Sequence, residues 1–193
     1  MSWTAYRNVL RRVFYPKRTA ISGFWLRQRF PDVSFGHDVL IFWPNAFEPG
    51  KGLMIHDRAI IRCGRGGSAP RTGYFRCGRG CEIGTYNVIW ADGGVEFGDN
   101  VHLGVHVTIL SHTANQIAPE ETDPDSELTI RFAPVLIEDH VVIGSGVVIA
   151  PGICIGHHSL IAAGAVVSTD LPPFSFAGGV PARVIKSNAP QPS

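Results

Sequence analysis

The sequence lacks any apolar run close to the roughly 18 residues that a membrane-spanning helix needs, and no apolar segment follows its basic start as it would in a signal peptide. Cysteine is scarce: the 193 residues contain four, and no second pair accompanies Cys77 and Cys81 as a zinc site would require. We therefore expect small core cysteines in a reducing cytoplasm. With 17% charged and 45% apolar residues, the chain is predicted to form a single soluble domain.

Acidic residues are absent before Asp32, whereas the same stretch carries seven basic residues: Arg7, Arg11, Arg12, Lys17, Arg18, Arg27 and Arg29. Apolar residues recur there at helical spacing, namely Trp3, Tyr6, Leu10, Val13 and Phe14. Residues 1–32 are thus predicted to be a basic amphipathic segment. Two interpretations stay open: the segment covers an end of the fold, or residues 1–30 make peripheral contact with the inner face of a membrane. The segment carries no nucleic-acid reader motif, so no nucleic-acid partner is expected.

A strict six-residue repeat runs from Ile137 to Ser168. Its successive first positions are all aliphatic: Ile137, Ile143, Ile149, Ile155, Ile161 and Val167. Neither the 3.6-residue period of a helix nor the two-residue period of a strand produces this spacing. A short fixed period is typical of a solenoid, in which three sixes close a triangular coil and each aliphatic side chain stacks on its equivalent in the next coil.

The same spacing extends towards the N-terminus with interruptions, as in the pairs Ile83 and Ile89, and Leu103 and Ile109. The interruptions predict loops at 44–52, 64–73, 92–94 and about 113–134, the last of which contains a cluster of five acidic residues. We therefore expect an all-β helix of triangular coils over residues 33–171. A short helical segment precedes it, and residues 172–193 form a closing segment and tail.

Three segments together resemble the hexapeptide-repeat acyltransferases. They are the Ile-Gly repeat, the stretch Val107-Thr-Ile-Leu-Ser-His112, and the ending Asp170-Leu-Pro-Pro-Phe-Ser-Phe-Ala-Gly-Gly-Val-Pro-Ala-Arg-Val-Ile-Lys186. The chain is most similar to the sugar O-acetyltransferase branch, which includes galactoside, maltose and polysaccharide O-acetyltransferases. The resemblance covers about residues 33–187. It implies a left-handed parallel β-helix that uses acetyl-CoA, without a metal, to acetylate a saccharide hydroxyl, such as that of a surface-polysaccharide or glycolipid precursor.

Acetyl transfer to a hydroxyl needs a base, and a neutral imidazole suits that role near pH 7. The resemblance places the catalytic histidine at the break after Ile109, where His112 stands, with no other histidine before His140. Asp92 matches a family carboxylate that meets the acceptor, although an ordinary Asp-Gly turn explains it equally well. Asn87 and Trp90 lie nearby, and Trp90 is predicted to stack on a sugar ring.

The resemblance also assigns residues to acetyl-CoA. Ser145 matches a serine near the pantetheine and the thioester, and backbone groups of Ala163 and Gly164 match those that pair with the pantetheine amides. The remaining matches follow the channel to the adenosine phosphates: Ser168, Thr169, Arg183 and Lys186. Guanidinium and ammonium groups neutralise phosphate, which supports the last two physically. Two departures, Val142 where the family often has Trp and Thr169 where it often has Lys, make the size of the acyl group an open question.

The resemblance implies a homotrimer in which the long loop after His112 reaches a neighbouring subunit, and a cytoplasmic location. Alternatives stay open. One is an N-acyltransferase acting on an amino sugar, an antibiotic or another small acceptor such as serine. Another is a zinc enzyme of the γ-carbonic anhydrase type, which would draw on His102, His106 and His112. The last is a scaffold without catalytic activity.

Overall fold

A computed structural model describes residues 20–22, 24–64, 73–115 and 129–187. The chain winds into triangular coils whose three sides stack into three predominantly parallel sheets. The first face contains β1 (Ala20–Ser22), β3 (Leu40–Phe42), β6 (Ile60–Arg62), β9 (Val88–Trp90), β12 (Thr108–Leu110), β17 (Val148–Ile149) and β20 (Val166–Val167). The second face contains β4 (Phe47–Glu48), β7 (Phe75–Cys77), β10 (Val95–Phe97), β15 (Val135–Ile137) and β18 (Cys154–Ile155).

The third face is the longest of the three sheets. It contains β2 (Ser34–Phe35), β5 (Met54–Ile55), β8 (Glu82–Ile83), β11 (His102–Leu103), β16 (Val142–Ile143), β19 (Leu160–Ile161), β21 (Ser175–Gly178) and β22 (Arg183–Ser187). A separate antiparallel ribbon is made of β13 (His112–Asn115) and β14 (Thr129–Phe132). One short helix, α1, spans Phe24–Arg29, and a 3₁₀ turn spans Pro44–Ala46.

The repeated aliphatic positions form the core, as the six-residue period predicts. Ile149 pairs with Val167 eighteen residues later, and both side chains are fully buried. Burying one such side chain stabilises the fold by about 1.5–3 kcal/mol relative to leaving it exposed. The smaller positions two residues before each aliphatic are buried as well: Val141, Val147, Ile153, Ser159 and Ala165. Ser159 satisfies its hydroxyl there by donating to the carbonyl of Pro172 and accepting from the amide of Ser175.

The corners require left-handed backbone at one residue per turn. Between the third and first faces this residue has φ near +55° to +59° at Asp38, Arg58, Tyr86 and His106. The amide of each of the later corner residues bonds to a carbonyl of the coil before it, for example Tyr86 to Asp57. The column continues through Gly146 and Gly164, where φ is +72° and +73°. Glycine adopts this backbone without the steric cost that a side chain brings.

Antiparallel strands border the parallel stack at both ends. At one end β1 pairs antiparallel with β3, and at the other β22 pairs antiparallel with β21. Helix α1 lies beside the first coil, with Leu26 fully buried and Trp25 66% exposed. The predicted amphipathic pattern at residues 3–14 lies outside the described residues. Among the residues that are described, no helix is both long enough and apolar enough to cross a bilayer.

The segment predicted as a long loop at 113–134 is not a loop at its two ends. Both ends are strands, because His112 pairs with Phe132 and Asn115 with Thr129 in the ribbon. The middle of this segment, residues 116–128, lies outside the described part of the chain. The site residue His112 therefore stands at the root of a paired arm, on hydrogen-bonded backbone.

Candidate functional site

All insertions between coils leave the stack at one corner. On the first face Ile41, Ile61, Ile89, Ile109, Ile149 and Val167 pair in succession, so successive coils contain 20, 28, 20, 40 and 18 residues. The extra residues follow β3, β6, β9 and β12, between the first and second faces. We call this edge the insertion corner, made of the described residues 43–46, 63–64, 73–74, 91–94, 111–115 and 129–134. In repeat proteins, insertions collected on one side often mark the binding side.

Ser111 joins two segments of the insertion corner. Its side chain is fully buried, and its hydroxyl donates to the carbonyl of Trp90 at 2.7 Å and accepts from the amide of Gly93 at 2.8 Å. Its carbonyl accepts from the amide of Ala133 at 2.9 Å. These bonds tie the root of the ribbon to the turn at residues 91–94. The backbone on both sides of His112 is therefore held in place.

A buried carboxylate faces His112 from that turn. Asp92 is 3% exposed, and its Oδ2 lies 3.5 Å from Nδ1 of His112, whose side chain is 19% exposed. Oδ1 of Asp92 lies 3.2 Å from Nε of Arg62, whose side chain is 17% exposed. Catalytic hydrogen bonds are often long without substrate and tighten when it binds. A carboxylate next to Nδ1 favours the imidazole form that carries its proton on that atom, leaving the lone pair of Nε2 available.

The same side chains stack along the axis of the coil. The ring of His112 lies against the indole of Trp90, with centroids 5.4 Å apart and planes at 7°. The guanidinium of Arg62 lies over the rings of Trp90 at 5.5 Å and of Trp43 at 5.2 Å. Phe132 tilts against the far side of His112 at 6.3 Å. Because Arg62 and Trp90 are neighbours in the register of β6 and β9, the stack runs Trp43, Arg62, Trp90, His112 and Phe132.

The three predicted acceptor residues have different surroundings from those expected. Asn87 occupies an inward position and is fully buried, with its Oδ1 accepting from the amide of Val107 at 2.7 Å. Its Nδ2 has no hydrogen-bond partner, and its role towards an acceptor stays a prediction. The ring of Trp90 contacts Arg62 and His112, and its stacking on a sugar ring stays a prediction. Asp92 is more than a plain turn residue, since it lies beside the imidazole.

Sequence reasoning missed Arg62, Trp43 and Ser111. A signal for Arg62 exists, because it follows the inward Ile61 by one residue, as Trp90 follows Ile89. The 28-residue spacing between these positions hid the equivalence. Trp43 carried a different signal: it directly follows β3 and takes a left-handed conformation with φ +55°, which is uncommon for a large aromatic residue.

The predicted acetyl-CoA residues fall into two groups on one chain. Ser145, Ala163 and Gly164 are exposed at the corner between the third and first faces, and the hydroxyl of Ser145 accepts from the amide of Val105 at 3.1 Å. A Cβ added to Gly164 would meet nothing within 4 Å, so this corner is open. Ser168 and Thr169 are exposed after β20, next to the insertion corner. Four extended residues separate Gly164 from Ser168, or about 13 Å.

The two predicted cations lie on the last strand. Arg183 and Lys186 belong to β22 and are exposed, and Lys186 pairs in register with Phe176. Arg183 also donates through Nη1 to the carbonyl of Ala182 at 2.8 Å. Both side chains thus border the end of the coil where the glycine column finishes.

The other histidines of interest lie apart from His112. His102 lies on the third face, where Glu82 accepts from it and from His56, at 3.2 and 2.7 Å. The hydrogen bond to His56 is the main cause that lowers the pKa of Glu82, and the bond to His102 adds to it. His106 stacks flat on Tyr86 at 5.0 Å. Within the described residues no group of three or more potential ligands is placed to hold a metal ion.

The cysteines agree with the core assignment. Cys63, Cys77 and Cys81 are buried and Cys154 is partly buried, all as free thiols. Burial raises the pKa of the Cys63 thiol, and the nearby charge of Asp92 adds to this effect. A buried thiol with a raised pKa is a poor nucleophile, so we assign no catalytic role to Cys63.

The chain is similar in sequence to several known proteins. Residues 134–169 match the family model of the bacterial transferase hexapeptide (six repeats). Over 119 residues the chain is 40% identical to the galactoside O-acetyltransferase of Escherichia coli K12, covering 58% of this chain and 57% of that enzyme. Over 89 residues it is 37% identical to a tetrahydropyridine-dicarboxylate N-acetyltransferase of Staphylococcus aureus, covering 46% and 31%. The chain thus spans from about a third to just over half of these relatives.

Solved structures agree with the fold. AntD, an N-acyltransferase from Bacillus cereus solved with dTDP and 3-hydroxybutyryl-CoA, matches with a TM-score of 0.64 at 20% identity, covering 86% of this chain and 88% of that chain. A maltose O-acetyltransferase from Clostridium difficile 630 matches with a TM-score of 0.54 at 22% identity, covering 95% and 84%. Residues 134–169 thus share the repeat of the hexapeptide transferases, and the described coil shares its fold with these solved structures. The galactoside O-acetyltransferase among the relatives agrees with the predicted resemblance to the sugar O-acetyltransferase branch.

Proposed function

We propose that the protein is an acetyl-CoA-dependent O-acetyltransferase that acetylates a hydroxyl of a saccharide. The observation that carries this proposal is the placement of His112 at the insertion corner, with Asp92 at Nδ1 and Trp90 against its ring. An oriented imidazole is the base that attack by an alcohol requires. The galactoside and maltose O-acetyltransferases among its relatives support a sugar as the acceptor.

In this reaction Nε2 of His112 takes the proton of the acceptor hydroxyl while its oxygen attacks the thioester carbonyl. The tetrahedral adduct collapses, the carbon–sulfur bond breaks, and the imidazolium returns its proton to the thiolate. The products are the acetyl ester and free coenzyme A. General-base assistance of this kind contributes about 10²–10⁴ in rate. Asp92 stabilises the imidazolium while it exists, because it places a negative charge beside Nδ1.

For the donor, we propose that the pantetheine follows the open corner at Gly164 and Ser145 towards β22. There Arg183 and Lys186 neutralise the phosphates. Exposure of these residues, and the free space at Gly164, support this path. Coenzyme A and 3-hydroxybutyryl-CoA are bound in structures of AntD, and acetyl-CoA is bound in a hexapeptide acetyltransferase of Vibrio cholerae.

A homotrimer is part of the proposal. The open corner at Gly164 and the insertion corner with His112 lie on opposite edges of the first face, about 13 Å apart. A donor on the open corner of one chain would meet the base on the insertion corner of another. Val142 and Leu160, exposed by 43% and 45% on the third face, offer apolar area for packing between subunits. Loss of specific activity on dilution, matched by dissociation in ultracentrifugation, is the expected result.

Location and pathway complete the proposal. We place the protein in the cytoplasm, with residues 1–30 at the inner face of the membrane and a surface-polysaccharide or glycolipid precursor as acceptor. The basic composition of that segment supports this placement. Sedimentation with anionic vesicles, compared between the full chain and one that starts at Ser22, tests it.

An N-acyltransferase is the second candidate. AntD and the tetrahydropyridine-dicarboxylate N-acetyltransferase share the fold or the repeat with this chain. The same base would deprotonate an attacking amine. A panel of matched hydroxy and amino sugars separates the two activities.

The central experiment is release of free thiol from acetyl-CoA with sugars, nucleotide sugars, amino sugars and lipid-linked glycans. His112→Ala is expected to abolish transfer while binding of coenzyme A, measured by calorimetry, is retained. His106→Ala is the matched control, because it removes an exposed imidazole that also stacks on an aromatic ring. Full turnover by His112→Ala would refute the assignment of the base, and no heat with coenzyme A in the wild type would refute the donor.

A further inference from the structure

Arg62 has unusual surroundings for a cation. It is the last residue of β6, and its guanidinium lies over two indoles, those of Trp43 at 5.2 Å and of Trp90 at 5.5 Å. Its Nε lies 3.2 Å from Oδ1 of Asp92, and only 17% of its side chain is exposed. Trp90 and Asp92 each contact both this guanidinium and the imidazole of His112.

Two other arginines of the chain also lie over aromatic rings, but they are exposed to water. Arg58 lies over Tyr86 at 5.4 Å and Arg76 over Tyr74 at 5.2 Å, but their side chains are 57% and 50% exposed. Their carboxylate partners are exposed as well, so water screens the charges. At Arg62 both the cation and its carboxylate are largely removed from water. Desolvation offsets much of the attraction in such a pair, which makes it a weak device for stability.

The charges around His112 indicate that the Arg62–Asp92 pair affects the protonation of the imidazole more than it affects stability. Asp92 and Arg62 together carry no net charge while the imidazole is neutral. If Arg62 were absent, the buried carboxylate and the adjacent imidazole would best be neutralised by one proton shared between them. That proton would occupy the base before the acceptor arrives. The guanidinium removes this demand, since it stays charged throughout the accessible pH range.

We propose that Arg62 is a positioning residue that keeps Asp92 ionised and leaves His112 free to accept a proton at neutral pH. Trp43 and Trp90 hold its guanidinium flat and keep water from the pair. Arg62 touches no reacting atom and acts through Asp92 and Trp90. The inference rests on the proposed function for its effect on turnover, whereas its effect on the imidazole does not require any activity.

Other ionisable groups around His112 are accounted for. The elements that surround it also carry Cys63, Tyr74 and Arg131. The buried Cys63 thiol has a raised pKa and is neutral, Tyr74 contacts Glu96 through its hydroxyl at 3.5 Å, and Arg131 on β14 is exposed. Of these charged groups, Asp92 lies 3.5 Å from Nδ1 of the imidazole, and Arg62 lies 3.2 Å from Asp92.

The test compares Arg62→Gln, Arg62→Lys and the control Arg76→Gln, which removes an exposed guanidinium from the ring of Tyr74. The titration of His112 is followed by NMR, with its signal assigned by its loss in His112→Ala. Arg62→Gln is expected to raise the titration midpoint of His112 by about 1–3 pH units. The acid limb of kcat/KM moves by the same amount, so turnover falls about tenfold or more near pH 7 and recovers at higher pH.

Arg62→Lys keeps the charge but loses the planar group that fits between the indoles. It is expected to leave the midpoint near that of the wild type and to lower kcat without a pH shift. Arg76→Gln should match the wild type in both measurements. An unchanged midpoint in folded Arg62→Gln overturns the proposal, as does an equal shift in Arg76→Gln.

Two further outcomes stay decisive. If Arg62→Gln fails to fold, Asp92→Asn replaces it: loss of the anion while the cation stays should lower the midpoint, and a rise or no change overturns the proposal. If the wild type releases no thiol with any acceptor, the proposed function fails, but the NMR titration still decides the role of Arg62.

Discussion

The imidazole of His112 and the indole of Trp90 are nearly parallel, with planes at 7° and centroids 5.4 Å apart. The two residues come from different coils, since Trp90 ends β9 and His112 begins the ribbon. Their contact fixes the plane in which the nitrogen atoms of the imidazole lie. Together with Asp92 at Nδ1, it determines the direction in which Nε2 faces.

Trp90→Leu removes the flat support of the imidazole. An aromatic pair contributes about 0.5–1.5 kcal/mol beyond burial, so we expect kcat to fall up to about tenfold, with KM for acetyl-CoA unchanged. Trp90→Phe should retain most of the activity. Steady-state kinetics with both substrates varied provides the measurement. A raised KM for the acceptor at constant kcat would instead show that the indole binds the sugar.

Ile137 and Leu136 provide a paired test of the core. They are neighbours on β15, but Ile137 is fully buried and Leu136 is 40% exposed. Ile137→Ala should lower the free energy of unfolding by about 2–5 kcal/mol because it leaves a cavity inside the coil. Leu136→Ala should change it by less than about 0.5 kcal/mol. Urea unfolding followed by circular dichroism compares them, and equal losses would contradict the inward assignment.

Gly98 lies where two coils approach closely. A Cβ at this position would stand 2.7 Å from the backbone nitrogen of Asp139, so Gly98→Ala should destabilise by about 1–3 kcal/mol through forced movement of the backbone. Gly52→Ala is the control, because its φ is +76° and nothing lies within 4 Å. It should show only the cost of left-handed backbone, about 1 kcal/mol. Thermal melts of both variants are compared, and a smaller loss for Gly98→Ala would contradict the close approach.

Glu82 is predicted to make the free energy of unfolding depend on pH in the acidic range. Its pKa lies below the ordinary 4.5, chiefly through His56 and then His102. A lowered carboxyl pKa stabilises the folded state above the ordinary value, and this contribution disappears as pH falls through the lowered value. Glu82→Gln should therefore be less stable than the wild type near pH 5.5, which lies above the ordinary pKa of the carboxyl group. The difference should vanish in strong acid. A difference that is independent of pH would show a steric cause.

The repeat between Ile137 and Ser168 made the coil predictable because each period repeats the same inward side chain. Asn87 shows a limit of that reasoning: its place in the period is an inward one, whereas its predicted acceptor role came from its nearness in the sequence to Asp92. The buried amide of Val107 needs an acceptor from within the coil, and the Oδ1 of Asn87 supplies it. This requirement comes from Val107 in the next coil, so the sequence around Asn87 does not indicate it.

The ribbon and the ion pair at the site were harder to foresee. Pairing of His112 with Phe132 is antiparallel and has no relation to the six-residue period. Contact between Arg62 and Asp92 joins two coils of different length, so their spacing follows no repeat. His112 was predicted from its place at a break in the repeat. Asp92 was predicted either to meet the acceptor or to be a turn residue, and its contact with His112 was not predicted. Contacts between side chains of different coils depend on how the inserted residues shift one coil relative to the next. That alignment cannot be read from the sequence.

The reversed strands β1 and β22 have a consequence for the molecule as a whole. A stack of parallel coils presents unpaired backbone amides and carbonyls at each open rim, and identical rims would pair with one another without limit. Because β1 and β22 run against the direction of their neighbours, an additional coil would not find the parallel register that links the coils within the chain. On one face at each end of the described stack, the chain therefore does not offer the parallel register that a further coil would extend.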